Sequence, residues 1–160
     1  MPNPLFAQIA AEIDEFARTA PDLASLEEFA VEQIAFSLTA YNWVGFYWLD
    51  PKDTGILELG AFIGAPTEHT HIPVSQGICG AAVREGATIV VDDVRADPRY
   101  LSCSIETKSE IVVPIRARGR IVGEIDIDSH DKAAFGAEDR AFLEQCARLI
   151  GAFIERNPPK

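Results

Sequence analysis

The chain has 160 residues, 48% of them hydrophobic and 24% charged, and a globular domain of this size buries roughly 70% of its surface. Twenty-five acidic residues against 14 basic ones give a formal net charge of −11, which repels phosphate backbones and excludes a basic nucleic-acid-binding face. No apolar run approaches a membrane span, and the N-terminus carries acids where a signal peptide needs basic residues. We therefore expect a cytoplasmic protein with no nucleic-acid or membrane partner, organised as a single domain (1–157) with a short tail (158–160).

The first third of the chain predicts two helices followed by a hairpin. Apolar residues recur at helical spacing over 4–20, and Asp22 is placed to cap a second amphipathic helix. The aromatic and β-branched run 42–50 and the run 55–64 are typical of strands, and turn residues separate them. These two strands should therefore form a meander hairpin.

The middle and the end of the chain alternate regular and irregular segments. Residues 76–86 predict a short helix that begins and ends at glycines, and 88–94 predict a strand. Residues 95–108 have neither a helical nor a strand period and indicate a long loop, a kind of segment that is frequently functional. An apolar stripe over 135–156 predicts a last helix.

Segment 109–129 predicts two strands joined by a tight turn. If a three-residue loop ends at Gly119 in the left-handed conformation, Glu110 lies opposite Asp126. A two-residue loop would shift the pairing by one residue and send Glu110 to the other face of the sheet. We expect the three-residue loop because it gives the glycine a role.

The sequence GEIDIDS (123–129) alternates acids with isoleucines, so Glu124, Asp126 and Asp128 share one face of a strand. These acids fit either a solvated outer face or a functional site. Aspartate is disfavoured in strands, and crowded carboxylates raise each other's pKa and keep a proton available near neutral pH. Such a cluster suits a cationic ligand or general-acid chemistry. No histidine in these strands completes a transition-metal set, so we expect no metal.

Three cysteines in a chain without an export signal argue against structural disulfides. Cys79 lies at the start of a short helix, where free N–H groups and the helix dipole lower a thiol pKa; the alternative is a small buried core residue. Cys103 lies in the irregular loop and is interpreted as reactive, whereas Cys146 falls on the apolar stripe of the last helix and is interpreted as core. His69 and His71 are interpreted as solvated loop residues.

These elements predict an α+β fold. A central, mostly antiparallel sheet of about six strands should carry the first two helices and the last one on one face. The opposite face and the loop 95–108 should enclose a pocket.

The chain resembles the GAF-domain free methionine-(R)-sulfoxide reductases, which act on the free amino acid. The resemblance rests on NWVGFY (42–47), IPVSQGICG (72–80), VDDV (91–94), the spacing from Cys103 to SEIVVPI (109–115), and GEIDIDS (123–129). By position it implies a catalytic thiol at Cys103, a second redox thiol at Cys79, substrate-binding acids at Glu110, Asp126 and Asp128, and a tryptophan facing the substrate methyl group at Trp43. Many members have a further cysteine ten residues before Cys79, where this chain has His69.

The activity that the resemblance implies is thiol-dependent reduction of free L-methionine-(R)-sulfoxide to methionine. Cys103 is then the nucleophile and Cys79, or an external thiol, resolves it; a thioredoxin-type reductant restores the thiols, with no bound cofactor. Two alternatives stay open: a non-catalytic GAF module that binds a small ligand, and a thiol redox sensor. A homodimer formed through helix faces is compatible with these readings.

Overall fold

The structure is a computed structural model that describes residues 3–101 and 105–158. Its helices are α1 (Pro4–Ala17), α2 (Leu23–Ser37), α3 (Gly77–Glu85) and α4 (Ala137–Arg156). Its strands are β1 (Trp43–Asp50), β2 (Asp53–Ile63), β3 (His71–Pro73), β4 (Ile89–Val91), β5 (Ser109–Ala117) and β6 (Arg120–Ser129).

The first two helices are fixed by side-chain caps. The Asn3 side chain accepts a hydrogen bond from the Leu5 amide at 3.0 Å, and the Asp22 side chain accepts one from the Ser25 amide at 2.8 Å. The predicted cap at Asp22 is therefore confirmed. The first helix ends at Ala17, three residues earlier than predicted.

The six strands form one sheet in the spatial order β3-β2-β1-β6-β5-β4, and every neighbouring pair is antiparallel. The predicted α+β fold and the β1–β2 hairpin are confirmed. The long β5–β6 pair lies beside β1 at the centre of this order, so residues of these three strands can converge on one site.

Each face of the sheet has its own apolar core. One core contains Phe46, Ile125 and Ile127 and is closed by α1, α2 and α4, which confirms the predicted placement of those three helices. The other core contains Trp43 and Tyr47 and is closed by α3. Because β6 alternates acids with isoleucines, the face under α3 receives the acids.

The β5–β6 turn differs from the one expected. Ala117 pairs with Arg120, so only Arg118 and Gly119 form the loop, both with positive φ (53° and 75°), as a two-residue hairpin turn requires. A bulge at Val122 then shifts the pairing again, because Ile115 pairs with Gly123 and Arg116 with Ile121.

The two-residue turn and the bulge each shift the β5–β6 pairing by one residue. Together they return the β5 side chains to the face of the sheet that the three-residue loop predicted. Glu110 therefore lies on the acid-bearing face as predicted, but opposite Asp128 and not opposite Asp126, so the predicted pairing is wrong.

None of the described helices is both long and apolar enough to cross a bilayer.

Candidate functional site

Four carboxylic acids point from the middle of the sheet into the core under α3. They are Glu110 on β5 and Glu124, Asp126 and Asp128 on β6, and each is at most 5% exposed. The interpretation of this face as a solvated outer surface is thus excluded. Burying carboxylates costs free energy unless they are neutralised or paired, so this cluster needs a chemical explanation.

Glu110 connects the two aspartates. Its carboxyl hydrogen bonds with both Asp126 and Asp128, which lie two residues apart on the same face of β6. Burial raises the pKa of both aspartates, and the charge of Asp126 raises the pKa of Asp128 further. Carboxyl pairs of this kind hold protons well above the ordinary pH range of an aspartate.

Cys79 lies against these acids. Its sulfur and the nearest oxygens of Glu110 and Asp126 all lie within 4.8 Å of one another. Burial raises the pKa of the Cys79 thiol well above its ordinary value, and the neighbouring carboxylates raise it further. The expectation that the helix start lowers this pKa is wrong, because burial and negative charge outweigh the helix dipole.

Trp43 lines the same face at the end of β1. It pairs with Asp128 across the β1–β6 ladder, it is 8% exposed, and its indole Nε1 donates to the carbonyl of Ala65 at 3.1 Å. A Cβ on Gly45 would lie 2.4 Å from the indole ring, so the missing side chain there lets the ring lie over the sheet. Because Gly45 pairs with Asp126, the indole is held beside the acids.

A cavity of about 80 Å³ opens between Trp43 and Asp128. Its rim includes Glu106 and His130, whose carboxylate and imidazole Nε2 lie 3.6 Å apart. Of the four acids, Asp128 is the one that lines this cavity, together with the Trp43 ring.

The other cysteines and the two histidines discussed in the sequence analysis differ in how their predictions compare with the structure. Cys103, the predicted nucleophile, lies outside the described residues. Cys146 is fully buried in the core between α4 and the sheet, as predicted, and burial raises its pKa to about 12. His71 is exposed on β3, whereas His69 is half-buried and its carbonyl accepts a hydrogen bond from the Tyr47 hydroxyl at 2.8 Å.

Within residues 3–101 and 105–158, Cys79, Glu110 and Asp126 have the spacing that a bound metal ion would need. A thiol and two carboxyl groups suit zinc chemically. Without a metal ion, the same three groups are linked by hydrogen bonds, since Asp126 hydrogen bonds with both Glu110 and Cys79.

Sequence reasoning assigned no role to two residues of the site. Glu124 was placed on the correct face, and its position two residues before Asp126 was the available signal; it is 0% exposed. Tyr47 follows Trp43 by four positions on the same strand, and its ring stacks near the indole with centroids 6.3 Å apart. Because side chains alternate between the two faces of a strand, both residues lie on the same face as the predicted site residues. This pattern alone could have assigned them to the site.

The comparisons with known proteins agree with this fold. The GAF domain profile matches residues 22–154. The free methionine-R-sulfoxide reductase of Saccharomyces cerevisiae is 42% identical over 110 residues, which span 68% of this chain and 61% of the yeast protein. The fold is therefore that of a GAF domain.

Two solved structures identify the family of GAF domains to which this chain is similar. The type II free methionine-R-sulfoxide reductase from Thermoplasma acidophilum is 40% identical with a TM-score of 0.78, covering 90% of this chain and 96% of that one. The enzyme from Neisseria meningitidis, in complex with its substrate, is 30% identical with a TM-score of 0.89, covering 96% and 92%. The chain belongs to the GAF-domain family of free methionine-R-sulfoxide reductases, and its predicted membership of an enzyme family is confirmed.

Proposed function

We propose that this chain reduces free L-methionine-(R)-sulfoxide to methionine with an external thiol reductant. The observation that carries the proposal is the buried group of Glu110, Asp126 and Asp128 beside the Cys79 thiol and the Trp43 ring. A site this acidic favours a ligand that brings positive charge, and a free amino acid does so through its ammonium group.

The acids serve two purposes in this proposal. A carboxylate among Glu110, Asp126 and Asp128 binds the substrate ammonium, because burial strengthens an ion pair once both partners are desolvated. A second, protonated carboxyl of the same three donates a hydrogen bond to the sulfoxide oxygen. The raised pKa values of Asp126 and Asp128 support this second role, since a proton must be held near neutral pH.

Cys103 is the proposed nucleophile. Its thiolate attacks the sulfoxide sulfur while the carboxyl proton passes to the sulfoxide oxygen, and methionine leaves as Cys103 becomes a sulfenic acid. We expect the attack to depend on the acid's hydrogen bond to the sulfoxide more than on a lowered thiol pKa, because the site is negative.

Trp43 is proposed to contact the substrate methyl group. An indole face gives an apolar wall and attracts the positive charge that develops on sulfur when its oxygen is protonated. Its position beside Asp126 and Asp128 and next to the cavity supports this role.

Cys79 is the proposed resolving thiol. It condenses with the Cys103 sulfenic acid to a disulfide and water, and a thioredoxin-type reductant in the cytoplasm restores both thiols. This scheme uses only two cysteines, since His69 stands where many family members have a third.

The test follows the loss of free methionine-(R)-sulfoxide under dithiothreitol or thioredoxin, with Cys103→Ser as the decisive variant. Loss of turnover is expected in Cys103→Ser, while the matched control Cys146→Ser, which changes a core cysteine away from the site, should retain it. The (S) epimer and N-acetylmethionine sulfoxide amide should be poor substrates, because the latter has no free ammonium. Unchanged turnover in Cys103→Ser would end the assignment.

Thermal unfolding separates the alternative functions. Stabilisation by methionine sulfoxide without consumption of reductant would favour a non-catalytic ligand-binding module. A redox sensor would need no acids, so Glu110→Gln and Asp126→Asn would leave its oxidation response intact. A homodimer is also proposed, and light scattering of the whole chain tests it.

A further inference from the structure

Three buried side chains of the site converge from three separate elements. Cys79 comes from α3, Glu110 from β5 and Asp126 from β6, and their sulfur and nearest carboxyl oxygens all lie within 4.8 Å of one another. Each residue is at most 5% exposed. No metal is predicted from the sequence, because β5 and β6 carry no histidine, but in the folded chain α3 adds a thiol to the two carboxyl groups. Sulfur and oxygen donors at this spacing can surround a single divalent cation.

Asp126 has a buried oxygen whose hydrogen-bonding capacity is not used. Its Oδ1 has no hydrogen-bond partner among the described residues, and the residue is 2% exposed, so bulk water has little access to it. Native proteins pair almost all their buried polar atoms, and they neutralise buried charges with partner groups or with metal ions. The unused oxygen is therefore a second, independent sign that this cluster accepts a cation.

The backbone holds the three side chains in fixed positions. Glu110 pairs with Val91 on β4, and its strand lies inside the sheet, not at its edge. Beside Cys79, Gly80 packs tightly against the chain that follows β3, since a Cβ on Gly80 would lie 2.5 Å from the carbonyl oxygen of Val74. Ligands carried by helices and strands keep their geometry better than ligands carried by loops, so an ion would meet a site that is already formed.

The donor set selects zinc among the common divalent cations. Magnesium and calcium prefer sites made only of oxygen ligands, whereas zinc binds thiolate and carboxylate together in a tetrahedral arrangement. Three protein ligands leave the last position of the tetrahedron to water, as in exchangeable zinc sites and unlike closed structural ones. The strongly negative chain, with a formal net charge of −11, also attracts cations.

We propose that Cys79, Glu110 and Asp126 form a zinc-binding site, and that bound zinc excludes the substrate ammonium group from the same carboxylates. The Cys79 thiolate and one oxygen of each carboxylate coordinate the ion, and the thiol proton is released to solvent. Zinc is then a reversible inhibitor that a chelator removes. Only the exclusion of substrate rests on the proposed function, since zinc binding itself needs no turnover.

Calorimetric titration of the reduced full-length chain with zinc chloride tests the site without substrate. We expect a single tight site in the wild type. Cys79→Ser and Asp126→Asn should each weaken binding at least about 10-fold, because even the outer contacts of a metal site contribute that much. Cys146→Ser and Glu27→Gln are matched controls that change a thiol and a carboxyl group buried elsewhere, and both should keep the wild-type affinity. No binding by the wild type, or wild-type affinity in Cys79→Ser, would overturn the proposal.

Cobalt(II) in place of zinc identifies the sulfur ligand. The chain has three cysteines, so the double variant Cys103→Ser/Cys146→Ser keeps Cys79 as its only thiol. Cobalt bound through that thiolate should give an intense sulfur-to-cobalt charge-transfer band in the near ultraviolet, and excess magnesium should not remove the band. A cobalt spectrum without this band would overturn the assignment of Cys79. This measurement changes no proposed ligand, so it decides the question even if Cys79→Ser does not fold.

Single turnovers of the pre-reduced chain, with no added thiol to bind the metal, test the exclusion of substrate. Zinc should raise the methionine sulfoxide concentration that gives half-maximal methionine release, about 10-fold at roughly nine times the zinc dissociation constant. The maximal rate should stay unchanged, and magnesium should have no effect. An unchanged half-saturating concentration would overturn the exclusion. If the wild type releases no methionine without zinc, the proposed function fails, and the titration and the cobalt spectrum still decide the zinc site.

Discussion

Glu110 faces Asp128 directly across the β5–β6 ladder, and its carboxyl also hydrogen bonds with Asp126 on the same face. Three carboxyl groups thus share protons inside a core that is closed by α3. Burying these three carboxyl groups lowers the stability of the free protein, and the same groups provide affinity for a cationic ligand.

The pH dependence of stability should show this directly. The pKa of Asp128 is raised in the folded protein, so its contribution is present below the ordinary aspartate pKa and is lost as pH rises through the raised value. The free energy of unfolding should fall as the pH rises from the ordinary aspartate pKa toward the raised one, by at most about 1.4 kcal/mol per pH unit for each proton released on unfolding. Asp128→Asn should flatten this slope, as measured by urea denaturation.

Asp22→Asn is the control for that experiment. Hydrogen bonds from Ser25 lower the pKa of Asp22, so its contribution is lost only as pH falls through that lowered value. This variant should shift the whole curve over that pH range without changing its slope. Parallel curves for the wild type and Asp128→Asn would contradict the assignment of a raised pKa.

The β5–β6 pairing shows how much of this site the sequence could predict. Alternation of acids and isoleucines was enough to place Glu124, Asp126 and Asp128 on one face. The partner of Glu110 was not predictable, because pairing depends on the turn at Gly119 and on the bulge at Val122, and a bulge leaves no mark in the hydrophobic pattern.

Cys79 shows a different limit. Its place in the first turn of a short helix was predicted from Gly77 and Gly86, but its pKa depends on what that helix covers. Contacts of α3 with the central strands bury the thiol among carboxylates, and these contacts are tertiary. A local pattern reports the helix dipole and says nothing of the charges on a strand that lies 30 or more residues away in sequence.

Trp43→Phe should lower kcat/KM for methionine sulfoxide by roughly 5- to 30-fold, because phenylalanine gives a weaker cation–π contact, and a loss of about 1–2 kcal/mol corresponds to that range. The variant also loses the hydrogen bond to the Ala65 carbonyl. Steady-state kinetics provide the measurement. Trp48→Phe is the matched control, since Trp48 lies on the same strand but stacks on Phe46 in the other core.

Gly45→Ala tests the same contact without removing the indole. The added Cβ would come within 2.4 Å of the ring and must displace it. We expect a reduction in kcat/KM comparable to that of Trp43→Phe, and wild-type kinetics in both variants would exclude a role for the ring in catalysis.

Glu27 should stabilise an irregular part of β2. Its carboxylate accepts hydrogen bonds from the Ala61 amide at 2.6 Å and from the Trp48 indole at 3.2 Å, where β2 bulges opposite β1. Glu27→Ala leaves both donors without this acceptor and should lower the free energy of unfolding by about 2–4 kcal/mol. Glu27→Gln keeps an accepting oxygen and should cost about 1 kcal/mol. Equal losses in the two variants, measured by urea denaturation, would show that the hydrogen bonds contribute nothing.

Gly151 marks the closest approach of α4 to the sheet. Alanine is favoured over glycine in a helix by about 1 kcal/mol, so propensity alone predicts that Gly151→Ala stabilises the protein. A Cβ at this position, however, would lie 2.1 Å from the carbonyl oxygen of Arg116 on β5, and neither backbone can yield locally. We expect a net loss of about 1–3 kcal/mol, the usual cost of overpacking.

Gln145→Ala provides the comparison for Gly151→Ala, because Gln145 is an exposed residue of the same helix. Its free energy of unfolding should stay within about 0.5 kcal/mol of the wild type. If Gly151→Ala were as stable as Gln145→Ala, α4 would have to be able to move away from β5. Such freedom would also loosen the core behind the acid-bearing strands, and the positions of Glu110 and Asp126 would then be less tightly fixed than the packing of this sheet indicates.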